Sequence, residues 1–162
     1  MRHKLNNNLN QNQISKLIKI NHPFLMIDQI KKLKPAKYGE GIKIINKNEW
    51  FFKCHLLNDP LMPGTLQIES MLQTIICIIY SDNKKKYGNL LITKSNANFF
   101  RKINSAGKLE IKANILDLKK GILEANAVTK FKGLKTSEGK FKFIDPKFFK
   151  KKNLVKLKWK TN

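Results

Sequence analysis

The sequence predicts an α+β domain in which one long helix is enclosed by a curved antiparallel sheet. Three observations predict it. Residues Thr65–Tyr80 carry apolar side chains on every face (Leu66, Ile68, Met71, Leu72, Ile75, Ile76, Ile78, Ile79), and a helix that is apolar all round is a buried one. Downstream, apolar and polar residues alternate in successive stretches, the mark of half-buried strands. At 162 residues the chain suits a single domain. That length buries roughly two thirds of the unfolded surface without help from disulfides or metals.

Taken in order, residues 1–13 are rich in Asn and Gln and read as a mobile polar arm preceding a folded domain over 14–146. Apolar residues at 14, 17, 18 and 20 predict one or two helical turns. His22-Pro23-Phe24-Leu25-Met26-Ile27-Asp28 is a buried strand or an apolar loop. Lys31–Lys37 is basic and ends in a turn at Pro35, and Gly39–Lys47 reads as a strand. Glu49–Asp59 breaks the periodicity and runs into Pro60-Leu61-Met62-Pro63-Gly64, a constrained turn that opens the helix. Ser81-Asp82-Asn83 and three lysines suit the helix C-terminus. Leu90–Thr93 and Ala97–Ile103 are expected as two strands. Leu109–Ile115 and Leu123–Phe131 alternate cleanly, Phe141 and Phe143 mark another strand, and Gly121 and Gly133 punctuate the connections. The tail 147–162 interleaves seven lysines with Phe148, Phe149, Leu154, Val155, Leu157 and Trp159. It is either a membrane- or single-strand-binding element or a last element docked on the domain.

Hydrophobic residues at 41% and charged residues at 27% exclude a chain disordered throughout. The net charge of +22 is unusual and attracts polyanions, whether nucleic acid, anionic membrane or an acidic protein; compositional drift toward lysine explains it equally well. Only Arg2 and Arg101 are arginine, which disfavours sequence-specific DNA reading. Cys54 and Cys77 form neither a disulfide scaffold nor a Cys-x-x-Cys pair. No secretory signal follows the first charges, and Leu61–Tyr80 contains too many polar residues to cross a membrane, so a cytoplasmic protein is expected.

Chemistry is foreshadowed by a gap. No lysine or arginine occurs from Cys54 to Tyr80, and inside that stretch lie His55, Asp59 and Glu69. Glu69 has two readings of equal weight. Buried in the apolar helix, its carboxyl would be desolvated and raised toward the working range of a general acid. Near the helix start and in touch with solvent, it would simply complement the helix dipole. A lone histidine such as His55 is more often structural than catalytic. A histidine and a protonated carboxyl across one apolar pocket would nonetheless form a base–acid pair, suited to removing a proton beside a carbonyl with loss of a neighbouring hydroxyl. Gly64, opening the helix, would leave an unobstructed N–H for a carbonyl oxygen gaining charge. Nucleotide-binding glycine loops, Gly-x-Ser-x-Gly and His-Glu-x-x-His are absent from the sequence, and His3, His22 and His55 do not have metal-ligand spacing. Cys54 reads as a packing residue.

The stretch from Trp50 to Gln73, with His55-Leu56-Leu57-Asn58-Asp59-Pro60-Leu61-Met62-Pro63-Gly64 at its centre, resembles the signature of the 3-hydroxyacyl-[acyl-carrier-protein] dehydratases. Their pattern is His-Phe-x-x-x-Pro-Val-Met-Pro-Gly, running into a helix that bears an acidic residue and then Gln. His22–Asp28 resembles their Tyr-Pro-Phe-Leu-Leu-Val-Asp block, and Asn96–Arg101 a later Asn-Ala-x-Phe-x-Arg block; the likeness spans roughly residues 20–145. Leu56 replaces the usual phenylalanine, and Ser105-Ala106-Gly107-Lys108 replaces a Pro-Gly-Asp turn. The context around Cys54-His55 and Asn58-Asp59-Pro60 looks like the dehydratase–isomerase branch and polyketide-type dehydratase domains, which use Asp as the acid. Glu69 is typical of the plain dehydratase branch.

The resemblance implies a hotdog fold and a homodimer, often a trimer of dimers, with the active site at the subunit interface. By position His55 is the catalytic histidine and Glu69 the catalytic acid, contributed by opposite subunits, and the Gly64 N–H polarises the thioester carbonyl. It implies dehydration of acyl-carrier-protein-linked 3-hydroxyacyl thioesters to trans-2-enoyl thioesters in acyl-chain synthesis, with no metal or redox cofactor. Phe24, Met26, Phe99 and Phe100 are expected along the acyl-chain pocket, and Lys53, Arg101 and Lys102 on the surface that receives the acidic carrier protein. The alternatives are a hotdog thioesterase and a catalytically silent basic binding module.

Overall fold

The computed structural model describes residues 7–83 and 87–148. Seven strands form one sheet in the order β1-β2-β3-β5-β6-β7-β4. They are β1 (Leu9–Asn10), β2 (Gln29–Lys34), β3 (Tyr38–Ile45), β4 (Leu91–Phe99), β5 (Gly107–Lys119), β6 (Ile122–Phe131) and β7 (Leu134–Ile144), and every neighbouring pair is antiparallel. Helix α2 (Gly64–Tyr80) packs against β3, β5, β6 and β7, and a shorter helix α1 (Gln11–Ile18) packs against α2. Register shifts in β2–β3, β4–β7, β5–β6 and β6–β7 are the bulges by which a sheet bends.

Local chemistry explains the joints. The β5–β6 and β6–β7 connections place Lys120-Gly121 and Lys132-Gly133 at positive φ, the two-residue turn whose twist matches antiparallel strands. Helix α2 lies close on β3 because Gly41 has no side chain: a Cβ there would stand 2.3 Å from Thr74 Oγ1. The core is made by Met71, Ile75, Cys77, Ile78 and Ile79 of α2 against Leu109, Ile111, Leu123, Phe141 and Phe143 of the sheet. A polar seam crosses it without loose ends. Ser137 Oγ donates to Gln67 Oε1 at 2.9 Å, Thr129 Oγ1 meets the Thr136 and Ser137 hydroxyls at 2.7 and 2.6 Å, and Ser70 and Thr74 donate to backbone carbonyls of α2. Buried hydroxyls are tolerated when paired in this way.

Two expectations are corrected and one is extended. Residues 9–13, assigned from composition to a mobile arm over 1–13, belong to β1 and α1. Leu9 pairs with Ile30, and an Asn10–Gln13 capping box starts the helix, satisfying backbone donors that would otherwise be orphaned. The basic stretch does end in the turn expected at Pro35, and the structure extends the reading: Gln29–Lys34 is strand β2, with Ile30 and Leu33 buried. The two strands expected at Leu90–Thr93 and Ala97–Ile103 are one strand, β4, whose register shift between Ile92 and Lys94 interrupts the alternation; Phe100–Ile103 leaves the sheet. The lysines at 84–86 and tail residues 149–162 lie outside the described residues.

Candidate active site

His55 is set by the segment before it. A 3-10 turn over Trp50–Lys53 is anchored by fully buried Phe51, whose ring meets Trp50 and Phe52 edge-on, and Phe51 O accepts the His55 N–H at 3.1 Å. Leu56, at φ 49°, then reverses the chain. The reversal brings Leu61 O to 3.0 Å from His55 Nδ1. A carbonyl oxygen only accepts, so Nδ1 carries a proton, and in the neutral ring it is Nε2 that presents the lone pair. That is the tautomer a general base needs.

Met62 N donates to Ile103 O at 2.8 Å, and Pro63 leads directly into α2, which begins at Gly64. Among the described residues no side chain caps this end, and no acidic residue occupies the first turn, so the positive end of the helix dipole is left for another acceptor. The Phe99 ring lies over Gly64, so close that a Cβ would stand 2.9 Å from it.

Glu69 is half-buried, and its carboxyl lies above the usual carboxylate range: burial raises it, and a hydrogen bond from Gln73 partly opposes the shift. Of the two surroundings expected for this carboxyl, the desolvated one is observed. Gln73, the glutamine that closes the matched signature but was given no role in the sequence reading, is the holder. Its Nε2 donates to Glu69 Oε1 and to Phe24 O, both at 2.8 Å, and its Oε1 accepts the Met26 N–H at 2.8 Å. The spacing of four along the helix was the available signal. Gln73 therefore ties the acid to the loop over residues 22–28, which is a loop and not a strand.

Among the described residues, no hydrogen bond or ion pair joins His55 to Glu69 within the protomer; each has its own partner. Phe24, Phe99 and Phe100 are each about half exposed, whereas Met26 is enclosed in the core. Leu56 and Leu57 are exposed as well. Lys53 and Arg101 are exposed; Arg101 Nη1 donates to Lys135 O, and Lys102 pairs with Asp59 at 2.8 Å, drawing the segment after Phe100 against the His55 loop. Lys135 Nζ stands 4.6 Å over the Phe100 ring. Among the described residues, no group of three His, Cys, Asp or Glu side chains could hold a metal ion, and no helix is long and apolar enough to cross a membrane.

A helix opening on glycine beneath a histidine loop, wrapped by an antiparallel sheet, defines a hotdog domain, and residues 19–140 match the model of the FabA-like domain. Solved structures share the fold at low identity. The dehydratase heterocomplex ApeI:P from Xenorhabdus doucetiae aligns with TM-score 0.68 and 13% identity over 82% of this chain and 90% of that one. Cj0977, a sigma28-regulated virulence protein from Campylobacter jejuni, aligns with TM-score 0.63 and 16% identity over 82% and 86%. Among curated proteins, the 3-hydroxyacyl-[acyl-carrier-protein] dehydratase FabZ of Acetivibrio thermocellus is 34% identical over 81% of this chain and 90% of its own length. That of Buchnera aphidicola subsp. Acyrthosiphon pisum (strain Tuc7) is 37% identical over 74% and 81%. The chain belongs to the FabA-like family, among the FabZ 3-hydroxyacyl-[acyl-carrier-protein] dehydratases.

Proposed function

We propose that this protein removes water from 3-hydroxyacyl thioesters on acyl carrier protein, in fatty-acid synthesis, with His55 as base and Glu69 as acid. The observation that carries the residue assignment is the opposite preparation of the two groups. His55 has its Nδ1–H committed to Leu61 O, leaving Nε2 to accept a proton. Burial raises the Glu69 carboxyl, which favours its protonated form over the ionised one. Environments that prepare one group as base and another as acid are what general acid–base catalysis requires.

In the step itself, His55 Nε2 takes the C2 proton, and the electron pair moves toward the thioester carbonyl, whose oxygen is held by the Gly64 N–H at the helix start. The pair then forms the C2=C3 double bond as the C3–O bond breaks, and Glu69 delivers its proton to the departing hydroxyl, which leaves as water. Passing the proton from the imidazolium back to the carboxylate restores both groups. No other reactant is consumed.

The assembly we propose is a homodimer, alone or as three dimers together, in which His55 of one protomer faces Glu69 of its partner. Strand β4 supports this. Among the described residues it pairs with β7 alone, and Leu91, Ile92 and Phe99 along it are exposed. An unpaired strand edge of this length, with apolar side chains at both ends, invites a second strand. The exposed rings of Phe24, Phe99 and Phe100 then become walls of an acyl channel, closed beside the core at Met26. Lys53, Arg101 and Lys102 face an acidic carrier protein in the cytoplasm, where the positive field speeds encounter.

The test is hydration of a crotonyl thioester, the reaction in reverse, by wild type, His55→Ala and Glu69→Gln. Each substitution is expected to lower kcat by about 100-fold or more. Unchanged kcat in either variant removes that residue from the assignment, and release of free thiol by the wild type would make the protein a thioesterase instead.

A further inference from the structure

Lys43 differs from the other lysines of this chain. Most of the described ones are exposed, yet Lys43, on β3, is only 4% exposed. Its Nζ lies 3.2 Å from Glu49 Oε1 and 3.6 Å from Asp28 Oδ1. Asp28 is further engaged, accepting from Ile44 N at 2.6 Å and from Gln11 Nε2 at 2.8 Å. Burying an ammonium and two carboxylates is a poor way to gain stability, because well-packed apolar residues often serve equally well; the best-attested use of such a cluster is to fix a geometry.

The geometry this cluster fixes is specific. Glu49 immediately precedes the 3-10 turn over Trp50–Lys53 that positions His55 through Phe51 O. Asp28 ends the loop over residues 22–28, whose Phe24 O and Met26 N–H clasp Gln73 and, through it, Glu69. The two arms also touch, for Trp50 Nε1 donates to Pro23 O at 3.2 Å. We propose that the Asp28–Lys43–Glu49 cluster is a positioning device, one buried cation holding in register the segment that carries His55 and the loop that steadies Glu69. Lys43 touches neither substrate nor reacting atoms. Its effect is to keep both working side chains in place, and in a dimer with shared sites each Lys43 serves the His55 of one site and the Glu69 of the other. The inference rests on the dehydratase reading.

The test uses the full chain as wild type, Lys43→Arg, Lys43→Met and Glu49→Gln. It reads kcat and KM for hydration of a crotonyl thioester and, by NMR, the Nδ1–H signal that His55 gives while bonded to Leu61 O. A folded Lys43→Met is expected to lose about 100-fold in kcat, the scale of a small misplacement. Its KM should stay within about threefold, because the interaction lost is one felt in the transition state. The His55 signal should broaden or vanish. Lys43→Arg, which keeps the cation, should recover most of the kcat. A folded Lys43→Met with wild-type kcat and wild-type His55 signal overturns the proposal. Should Lys43→Met fail to fold, Glu49→Gln decides: it keeps the shape and removes one charge, and a fall in kcat of about tenfold at constant KM supports positioning, whereas an unchanged kcat refutes it. A wild type with no dehydratase activity sinks the functional reading alone, because the His55 signal in the variants still reports whether Lys43 holds that segment.

Discussion

Replacing Gln73 by Leu isolates the link between helix α2 and the loop that precedes β2. The side chains are of similar size, so packing is largely kept while three hydrogen bonds of 2.8 Å are lost. The Met26 N–H, deep in the core, then has no acceptor, and a buried donor left unmade costs about 1–3 kcal/mol. Phe24 O belongs to a half-exposed residue and recovers part of its loss from water. Together the change should destabilise the protein by roughly 2–4 kcal/mol. For a chain of this size that lowers Tm by about 5–15 °C. The carboxyl of Glu69 responds as well. The Gln73 bond is the influence that opposes burial, so without it Glu69 holds its proton to higher pH. Because the proposed acid would work protonated, the alkaline limb of kcat should move to higher pH even as kcat itself falls. Thermal unfolding and a pH series of thioester hydration read both effects. A Tm within about 2 °C of wild type, with the pH profile unmoved, would refute the reasoning.

The remaining predictions concern Glu69 and Gly41. Glu69 binds its proton more tightly folded than unfolded, so wild type is most favoured below the ordinary carboxylate range and loses stability as pH rises through the raised folded-state value. Glu69→Gln, which keeps an acceptor for Gln73 but never ionises, should match wild type near about pH 4 and become the more stable of the two toward about pH 8. Urea unfolding at the two pH values checks it, and a constant difference between the proteins contradicts it. Gly41→Ala should cost about 1–3 kcal/mol, because its methyl would overlap Thr74 Oγ1; adding Thr74→Ala should return part of that loss, and additive losses in a double-mutant cycle would place the clash elsewhere.

The parts of this fold that were legible in the sequence are those where periodicity and burial coincide. Helix α2 was legible because Leu66, Met71, Ile75, Ile78 and Ile79 bury different faces, and β5 and β6 because their burial alternates almost residue by residue. Strand β2 was hidden. Its buried residues, Ile30 and Leu33, stand three apart, because the register shifts between Lys31 and Lys34 and Lys32 takes a positive φ of 51°. A period-two pattern does not survive a bulge. At the candidate site, His55 was identifiable only through the motif around it. What prepares it, the bond from Nδ1 to Leu61 O, depends on a chain reversal at Leu56 that no propensity foretells. Lys43 was indistinguishable from the many lysines that face water, since its burial comes from Asp28 and Glu49, fifteen and six residues away.

The claim that the site is assembled from two protomers is tested most directly by complementation. His55→Ala and Glu69→Gln are each inactive as homodimers in this account. Mixed after unfolding, or expressed together, they form heterodimers in which one site receives His55 from one chain and Glu69 from the other, while the second site receives neither. With random pairing, thioester hydration should return to about a quarter of the wild-type rate. A mixture that forms heterodimers yet remains as inactive as either parent would contradict the shared site.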